Sequence, residues 1–167
     1  MLEYKAELVV LGLGSNKGDS PRILREAVAE LDSILGGMRQ ASLYKTAPLY
    51  VLDQECFLNT AVTGLYAQSP AMLLNTIHRL EVSFGRDRSH ERRYGERTLD
   101  IDILLFGRRV VCEKPALEIP HPRLHERAFA LVPLLELIPD AVDPRSGIPL
   151  QDSLDKLPLK DRDISLI

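Results

Sequence analysis

The pairs Ser20-Pro21 and Ser69-Pro70 each stand just ahead of an apolar stripe at helical spacing, and two β-rich segments lie between the helices they announce. Serine caps a helix well and proline suits its first position, so helices are predicted with Ser20 and Ser69 as caps. The first keeps Ile23, Leu24, Ala27, Val28, Leu31, Ile34 and Leu35 on one face until Gly36-Gly37 stops it. The second keeps Leu73, Ile77, Leu80 and Phe84 until Gly85. A buried strand is predicted from Glu7 to Leu13, two more from Gln40 to Thr46 and from Phe57 to Ala67, and a fourth from Thr98 to Phe106. The order β-α-β-β-α-β predicts an α+β fold: a ferredoxin-like antiparallel sheet with helices packed on it. A doubly wound parallel sheet fits less well, because it would need a helix between the two central strands.

After Phe106 the signals weaken. Gly107 turns the chain, and Val110-Val111 is predicted to pair back as a hairpin. Pro115, Pro120 and Pro122 mark an extended, irregular passage. A helix from His125 or Glu126 to Leu137 follows, kinked or divided at Pro133. Asp143 to Gly147 reads as a turn, and Asp152 to Leu157 as a short amphipathic piece. No repeat or linker divides the 167 residues, so residues 1–167 are expected to form a single domain. A chain of this length buries roughly 70% of its unfolded surface, enough to fold without disulfides or a structural metal.

Composition excludes several classes. The longest apolar runs are far too short to span a bilayer, and the N-terminus lacks the charge and apolar stretch of a signal peptide. Cys56 and Cys112 are far apart, with no metal-binding or redox spacing. They suit a reducing compartment, and the expected location is the cytoplasm. A net charge of −3 argues against bulk nucleic-acid binding. Yet the cations are fifteen Arg against six Lys, with Arg86, Arg88, Arg92, Arg93 and Arg97 in one stretch. Arginine grips phosphate in a bidentate way, although Asp87, Glu91 and Glu96 are interleaved, as in an ordinary solvated loop.

The sharpest chemical signal is Asp100-Ile101-Asp102 inside a strand. Residues i and i+2 share a face, which puts the two carboxylates roughly 7 Å apart, while Leu99, Ile101, Ile103 and Leu105 face the core. Such a pair is costly unless water, arginine or metal neutralises it, and oxygen ligands suit Mg²⁺. The other reading is an exposed acidic sheet face. Arg97 could hold a polyphosphate at the mouth of the strand or pair with an aspartate. The glycines of Gly12-Leu13-Gly14-Ser15-Asn16-Lys17-Gly18 fit no phosphate-loop pattern and read as a tight strand-to-helix turn. His121, between two prolines and beside Arg123 and Arg127, is well placed to present its ring to phosphate, whereas His78 and His90 read as solvated. On residues alone, a two-metal nucleotidyltransferase and a non-catalytic small-molecule sensor both remain open.

Three blocks in order resemble the 6-hydroxymethyl-7,8-dihydropterin pyrophosphokinase family of folate biosynthesis: Leu11-Gly12-Leu13-Gly14-Ser15-Asn16, Gly95-Glu96-Arg97-Thr98-Leu99-Asp100-Ile101-Asp102-Ile103, and Ile119-Pro120-His121-Pro122-Arg123 with Arg127-Ala128-Phe129. The middle block is the most specific. The resemblance implies transfer of pyrophosphate from ATP to the pterin hydroxymethyl group, with AMP released. It implies two Mg²⁺ ions on Asp100 and Asp102, and catalytic roles for Arg88 and Arg97 beside them. Glu81, Arg88, Arg97, His121 and Arg127 match positions of the nucleotide site. Phe57 and Phe129 match the walls of the pterin pocket, and Asn59 and Thr46 its polar edge, with the backbone of Ala47 and Leu49 assisting. Phe57 stands where some members carry Tyr, and Tyr94 where some carry Trp. ATP and the pterin are then the expected partners, with no nucleic acid and no membrane, for a monomer or weak dimer. The loops Ala47 to Glu55 and Arg86 to Tyr94 are expected to close over the substrates.

Overall fold

The fold is taken from a computed structural model, which describes residues 5–48, 53–87, 89 and 95–167. Its main sheet runs in the order β5-β1-β4-β3-β8, with β2 pairing β4 alongside β3. These strands are β1 (Glu7–Ser15), β2 (Gly36–Gln40), β3 (Tyr44–Thr46), β4 (Phe57–Tyr66), β5 (Asp100–Phe106) and β8 (Ile164–Leu166). Every pairing is antiparallel. Taken as one strand, β2 and β3 give the ferredoxin-like arrangement. Helices α1 (Ser20–Asp32) and α2 (Pro70–Ser83) cover one face, where Val9, Leu11 and Leu13 meet Leu24, Leu31, Leu73 and Ile77. Helices α3 (Ala128–Leu137) and α4 (Leu150–Lys156) cover the other, with Val10, Ala61 and Leu104 against Leu131, Leu134 and Leu150. Lying between sheet and α4, α3 is apolar on nearly every side.

Several boundaries move for physical reasons. Ser69 caps α2, accepting from Met72 N at 3.2 Å, as expected. At α1 the cap is Asp19, which accepts from Arg22 N, while Ser20 Oγ accepts from the buried Ser15 Oγ at 2.8 Å. Asp and Ser cap equally well, and only Ser20 is placed to satisfy Ser15. Gly36 begins β2 rather than merely ending α1, which stops at Asp32. The strand expected from Gln40 to Thr46 is split. Ala41 still pairs with Ala61, but the Ser42 N–H turns from the sheet to the Glu136 carboxylate of α3. Val111 does not pair back on β5: β6 (Val111–Glu113) forms its own hairpin with β7 (Leu117–Ile119). A register shift opposite Val10 and Leu11 turns Leu105 to the α3 side, against the simple alternation. The segment before α3 is a 3-10 turn, Leu124–Glu126, and Pro133 lies inside the helix. Strand β8, which no periodicity announces, pairs with β3 from Thr46↔Ile164 to Tyr44↔Leu166.

Glu136 fastens α3 to the β2–β3 connection. Its carboxylate accepts from Ser42 N, from Ser42 Oγ at 2.8 Å and from Tyr44 Oη at 2.7 Å. Burial pushes the Glu136 carboxyl up, but the Tyr44 and Ser42 donors outweigh it and hold it below its ordinary range. Burial and Glu136 together push the Tyr44 phenol up to about 12. Replacing Glu136 with Ala is expected to cost about 1–2 kcal/mol, lowering Tm by roughly 2–8 °C at neutral pH. Because the folded carboxyl has the lower pKa, this contribution is present above pH 4.5 and fades as pH falls through the folded value. Thermal melts of both proteins from pH 7 to pH 3 should therefore converge at the acid end.

Candidate active site

The cleft is made by missing side chains. In β1, Gly12 lies opposite Asp102 on β5 and Ala61 on β4, and Gly14 opposite Asp100 and Asn59. A Cβ at Gly14 would stand 3.0 Å from Asn59 Oδ1, and one at Gly12 would stand 3.2 Å from Leu104. The glycines thus leave a bare strip of backbone between the aspartates and Asn59. They lie inside the strand and not in the turn expected of them, where only Gly18 takes a positive φ. Over this strip opens a cleft of about 830 Å³, solvent included. Thr46, Ala47, Phe57, Asn59, Arg97, Asp100, Asp102, Arg127 and Phe129 all line it. Leu49 and Arg88 lie outside the described residues, as do Arg92, Arg93 and Tyr94. Both loops expected to close are only partly described.

One end of the cleft is charged. Arg86 and Arg97 both reach Asp100, with Arg86 Nη1 2.6 Å from Oδ1. Arg86 is buried, and its guanidinium also meets the fully buried Glu81. Glu81 in turn accepts from Ile101 N at 2.9 Å. Glu81 is therefore not part of the cleft wall. It anchors Arg86 and the strand that carries the aspartates. Burial pushes Asp100 up, but the Arg97 and Arg86 guanidiniums prevail and hold it below the usual carboxylate range. For Asp102, burial and then the Asp100 charge prevail over Arg127 and push it up to about 7. Arg127 Nη1 donates to Asp102 Oδ2 at 3.2 Å, and its guanidinium lies 5.5 Å from the Phe129 ring centre. His121 stands behind this pair, its Nε2 3.8 Å from Asp102 Oδ1 and 3.4 Å from Arg127 Nη1. Its Nδ1 accepts from Arg123 N at 3.1 Å, so the neutral ring carries its proton on Nε2. Burial, then the Arg127 charge, lower its pKa to about 4 and keep the ring neutral.

The other end is aromatic and neutral. Phe57 and Phe129 line it, and the buried Asn59 donates through Nδ2 to Thr46 Oγ1 at 2.8 Å. That bond leaves Asn59 Oδ1 over Gly14 as an acceptor and the Thr46 hydroxyl as a donor, a pair suited to an amide-like edge. Asn16 joins the two ends. It exchanges two hydrogen bonds with Arg97 (N to O at 3.0 Å, Oδ1 from N at 2.8 Å), and its Nδ2 donates to Gln54 Oε1 and Glu55 O.

Among the described residues of this loop, Arg86 is brought to Asp100, and the sequence held a signal for it. Gly85 takes φ +84 after α2, and Arg86 N then bonds back to Glu81 O at 3.1 Å. A glycine stop of this kind folds the next residue against the last helical turn. Asn16 and the bare floor had no comparable signal beyond a glycine alternation of period two. Among the described residues no group of three His, Cys, Asp or Glu could hold a metal ion. The site offers two carboxylates a quarter to a third exposed, which suits a hard cation that takes its remaining oxygens from water and phosphate.

These features define a ferredoxin-like domain with a small-molecule cleft, acidic and arginine-lined at one end and aromatic at the other. The chain belongs to the family described as 7,8-dihydro-6-hydroxymethylpterin-pyrophosphokinase (HPPK), which residues 10–139 match. The family's reaction uses ATP as co-substrate. The chain is 41% identical over 143 residues to a folate synthesis bifunctional protein, mitochondrial, of Pisum sativum, covering 85% of this chain and 27% of that protein. It thus spans about a quarter of the length of that relative. It is 42% identical over 132 residues to the 2-amino-4-hydroxy-6-hydroxymethyldihydropteridine pyrophosphokinase of Bacillus subtilis, covering 78% of this chain and 77% of the relative. The crystal structure of wild-type Plasmodium falciparum HPPK-DHPS superposes with a TM-score of 0.73 at 16% identity, over 93% of this chain and 45% of that one, which supports the fold.

The raised Asp102 pKa is a stability statement. A carboxyl whose folded pKa lies above 3.8 destabilises the fold increasingly as pH rises from there to about 7, and by a constant amount above it. Allowing for solvent at a side chain one-third exposed, the effect is about 1–2 kcal/mol. Asp102→Asn is therefore expected to be more stable than wild type at pH 8 and indistinguishable from it at pH 3.5. Thermal melts without divalent cations check this, and an advantage independent of pH would contradict it.

Proposed function

We propose that this protein transfers the pyrophosphoryl group of ATP to the hydroxymethyl oxygen of 6-hydroxymethyl-7,8-dihydropterin and releases AMP. The observation that carries this reading is the union of two unlike ends in one cleft, on a chain of the HPPK family. A flat heterocycle fits between Phe57 and Phe129, with its amide-like edge against Thr46 and Asn59. Its hydroxymethyl group then points along the glycine strip toward Asp100 and Asp102. Arg97 and Arg127, both partly exposed, are placed to shift from the aspartates onto incoming phosphates, while Arg86 stays anchored by Glu81. His121 presents an Nε2–H donor to the same phosphates.

The bond formed joins the pterin oxygen to the β-phosphorus. The bond broken joins that phosphorus to the oxygen kept by AMP, and the hydroxyl proton passes to solvent. Two Mg²⁺ ions held by Asp100 and Asp102 would neutralise phosphate charge and favour the deprotonated hydroxymethyl oxygen. Positioning and charge neutralisation supply the catalysis, as in other phosphoryl transfers. In this reaction Arg88 is catalytic, the Leu49 backbone assists at the pterin edge, and the loops 47–55 and 86–94 close over the substrates. We read residues 1–167 as one pyrophosphokinase domain, monomeric or weakly dimeric. We read its setting as cytoplasmic, in keeping with two free cysteines, and as one without membrane partners or, given the net charge of −3, nucleic-acid partners. Among the described residues no helix is long and apolar enough to cross a membrane.

Incubation with ATP, Mg²⁺ and the pterin should release AMP only when the pterin is present. Release of ADP would indicate an ordinary kinase, and pyrophosphate a nucleotidyltransferase. Asp100→Ala and Asp102→Ala should each lower turnover roughly 10³-fold or more while the circular dichroism spectrum is kept.

A further inference from the structure

Outside the cleft lining, the turn between α3 and α4 carries Arg145. The turn is stiffly built: Asp143 Oδ1 accepts from Arg145 N at 2.7 Å, Asp143 O accepts from Gly147 N at 2.7 Å, and Val142 and Pro149 form a bridge. It presents the Arg145 guanidinium to the carbonyl oxygen of Pro120, to which Nη2 donates. Pro120 directly precedes His121, whose backbone N donates to Leu104 O of β5 at 3.2 Å. Neither Pro120 nor Pro122 has an N–H, so this segment has few ways to hold itself in place. Beyond the turn in which Leu124 N donates to His121 O at 3.0 Å and Arg123 N to the His121 ring, it is held from outside, by β5 on one side and Arg145 on the other.

We propose that Arg145 is a positioning residue: by holding the Pro120 carbonyl it sets where His121 Nε2 stands against Asp102 and Arg127, and so how well the cleft holds a nucleoside triphosphate. This rests on reading that end of the cleft as the nucleotide site. Arg145 acts through the loop and need not touch the nucleotide. The charged, branched guanidinium suits a carbonyl approached across an exposed surface, where a lysine ammonium would be a looser substitute.

The test uses the purified full chain, with AMP release as the assay. Arg145→Ala should raise KM for ATP about 3- to 10-fold, with KM for the pterin unchanged and kcat within about twofold of wild type. Arg145→Lys should recover part of the loss. In a His121→Ala background, Arg145→Ala should have no further effect, since its influence passes through that ring. Additive losses would overturn the proposal, as would an unchanged KM for ATP or an equal rise in both KM values. Independently of turnover, the ¹H–¹³C ring signal of His121 should shift in Arg145→Ala without ligand, while those of His78 and His125 stay in place. A His121 signal that does not move also overturns it. If wild type forms no pterin-dependent AMP, the reading of the cleft fails and takes this proposal with it. If wild type forms AMP and only the variant fails to differ, this proposal fails alone.

Discussion

Two carboxylates side by side on one strand, opposite two glycines of the next, set the electrostatic constraint that the surrounding structure meets. Asp100 and Asp102 share a face of β5, and the glycines of β1 give them nothing to pack against. Asp100 is kept charged by two guanidiniums, Asp102 by one that does not suffice. The buried Glu81 then balances Arg86 and bonds the β5 backbone, so α2, the loop after it and β5 are joined through one network of charges. A network of this kind adds little net stability, because desolvation offsets much of the attraction. Its product is placement: an acidic pair held partly open to solvent, in a cleft whose cations are already at hand.

The aromatic end depends on different forces. Phe57 comes from β4 and Phe129 from α3, elements on different layers of the fold. Their separation is set by how α3 sits on the sheet, which rests on a fully buried set of leucines and on the Glu136 fastening at its far end. The charged end is therefore fixed by short ionic contacts, and the aromatic end by packing. Asn16, buried, ties the backbone of Arg97 at the charged end to that of Glu55, two residues ahead of Phe57.

Much of this was legible in the residues. The strand and helix order follows from periodicity and two Ser-Pro starts, and the paired aspartates announce themselves by alternation. What could not be read was set by tertiary contacts. The break between β2 and β3 depends on Glu136, over ninety positions away, capturing the Ser42 N–H. Strand β8 has three residues and no pattern, and exists because β3 offers an edge. Arg86 stands in an arginine-rich run with no mark of its own type, and the fold-back after Gly85 is what sets it against Glu81 and Asp100. Glu81 is marked in the sequence only by resemblance, as a nucleotide-site position, and its burial against Arg86 follows from a partner that the fold alone brings to it.

The pairing of β8 with β3 has a consequence for biosynthesis. Strand β3, which carries Thr46, gains its second neighbour only when residues 164–166 exist. On the ribosome β3 would wait as an open edge while the residues between it and β8 were made, Lys45 and Ser165 being 120 positions apart, a geometry that invites pairing with other chains. The recognition edge of the cleft is thus completed only after residues 164–166 are made, and a nascent chain stalled short of β8 would depend on chaperones to keep that edge from pairing elsewhere.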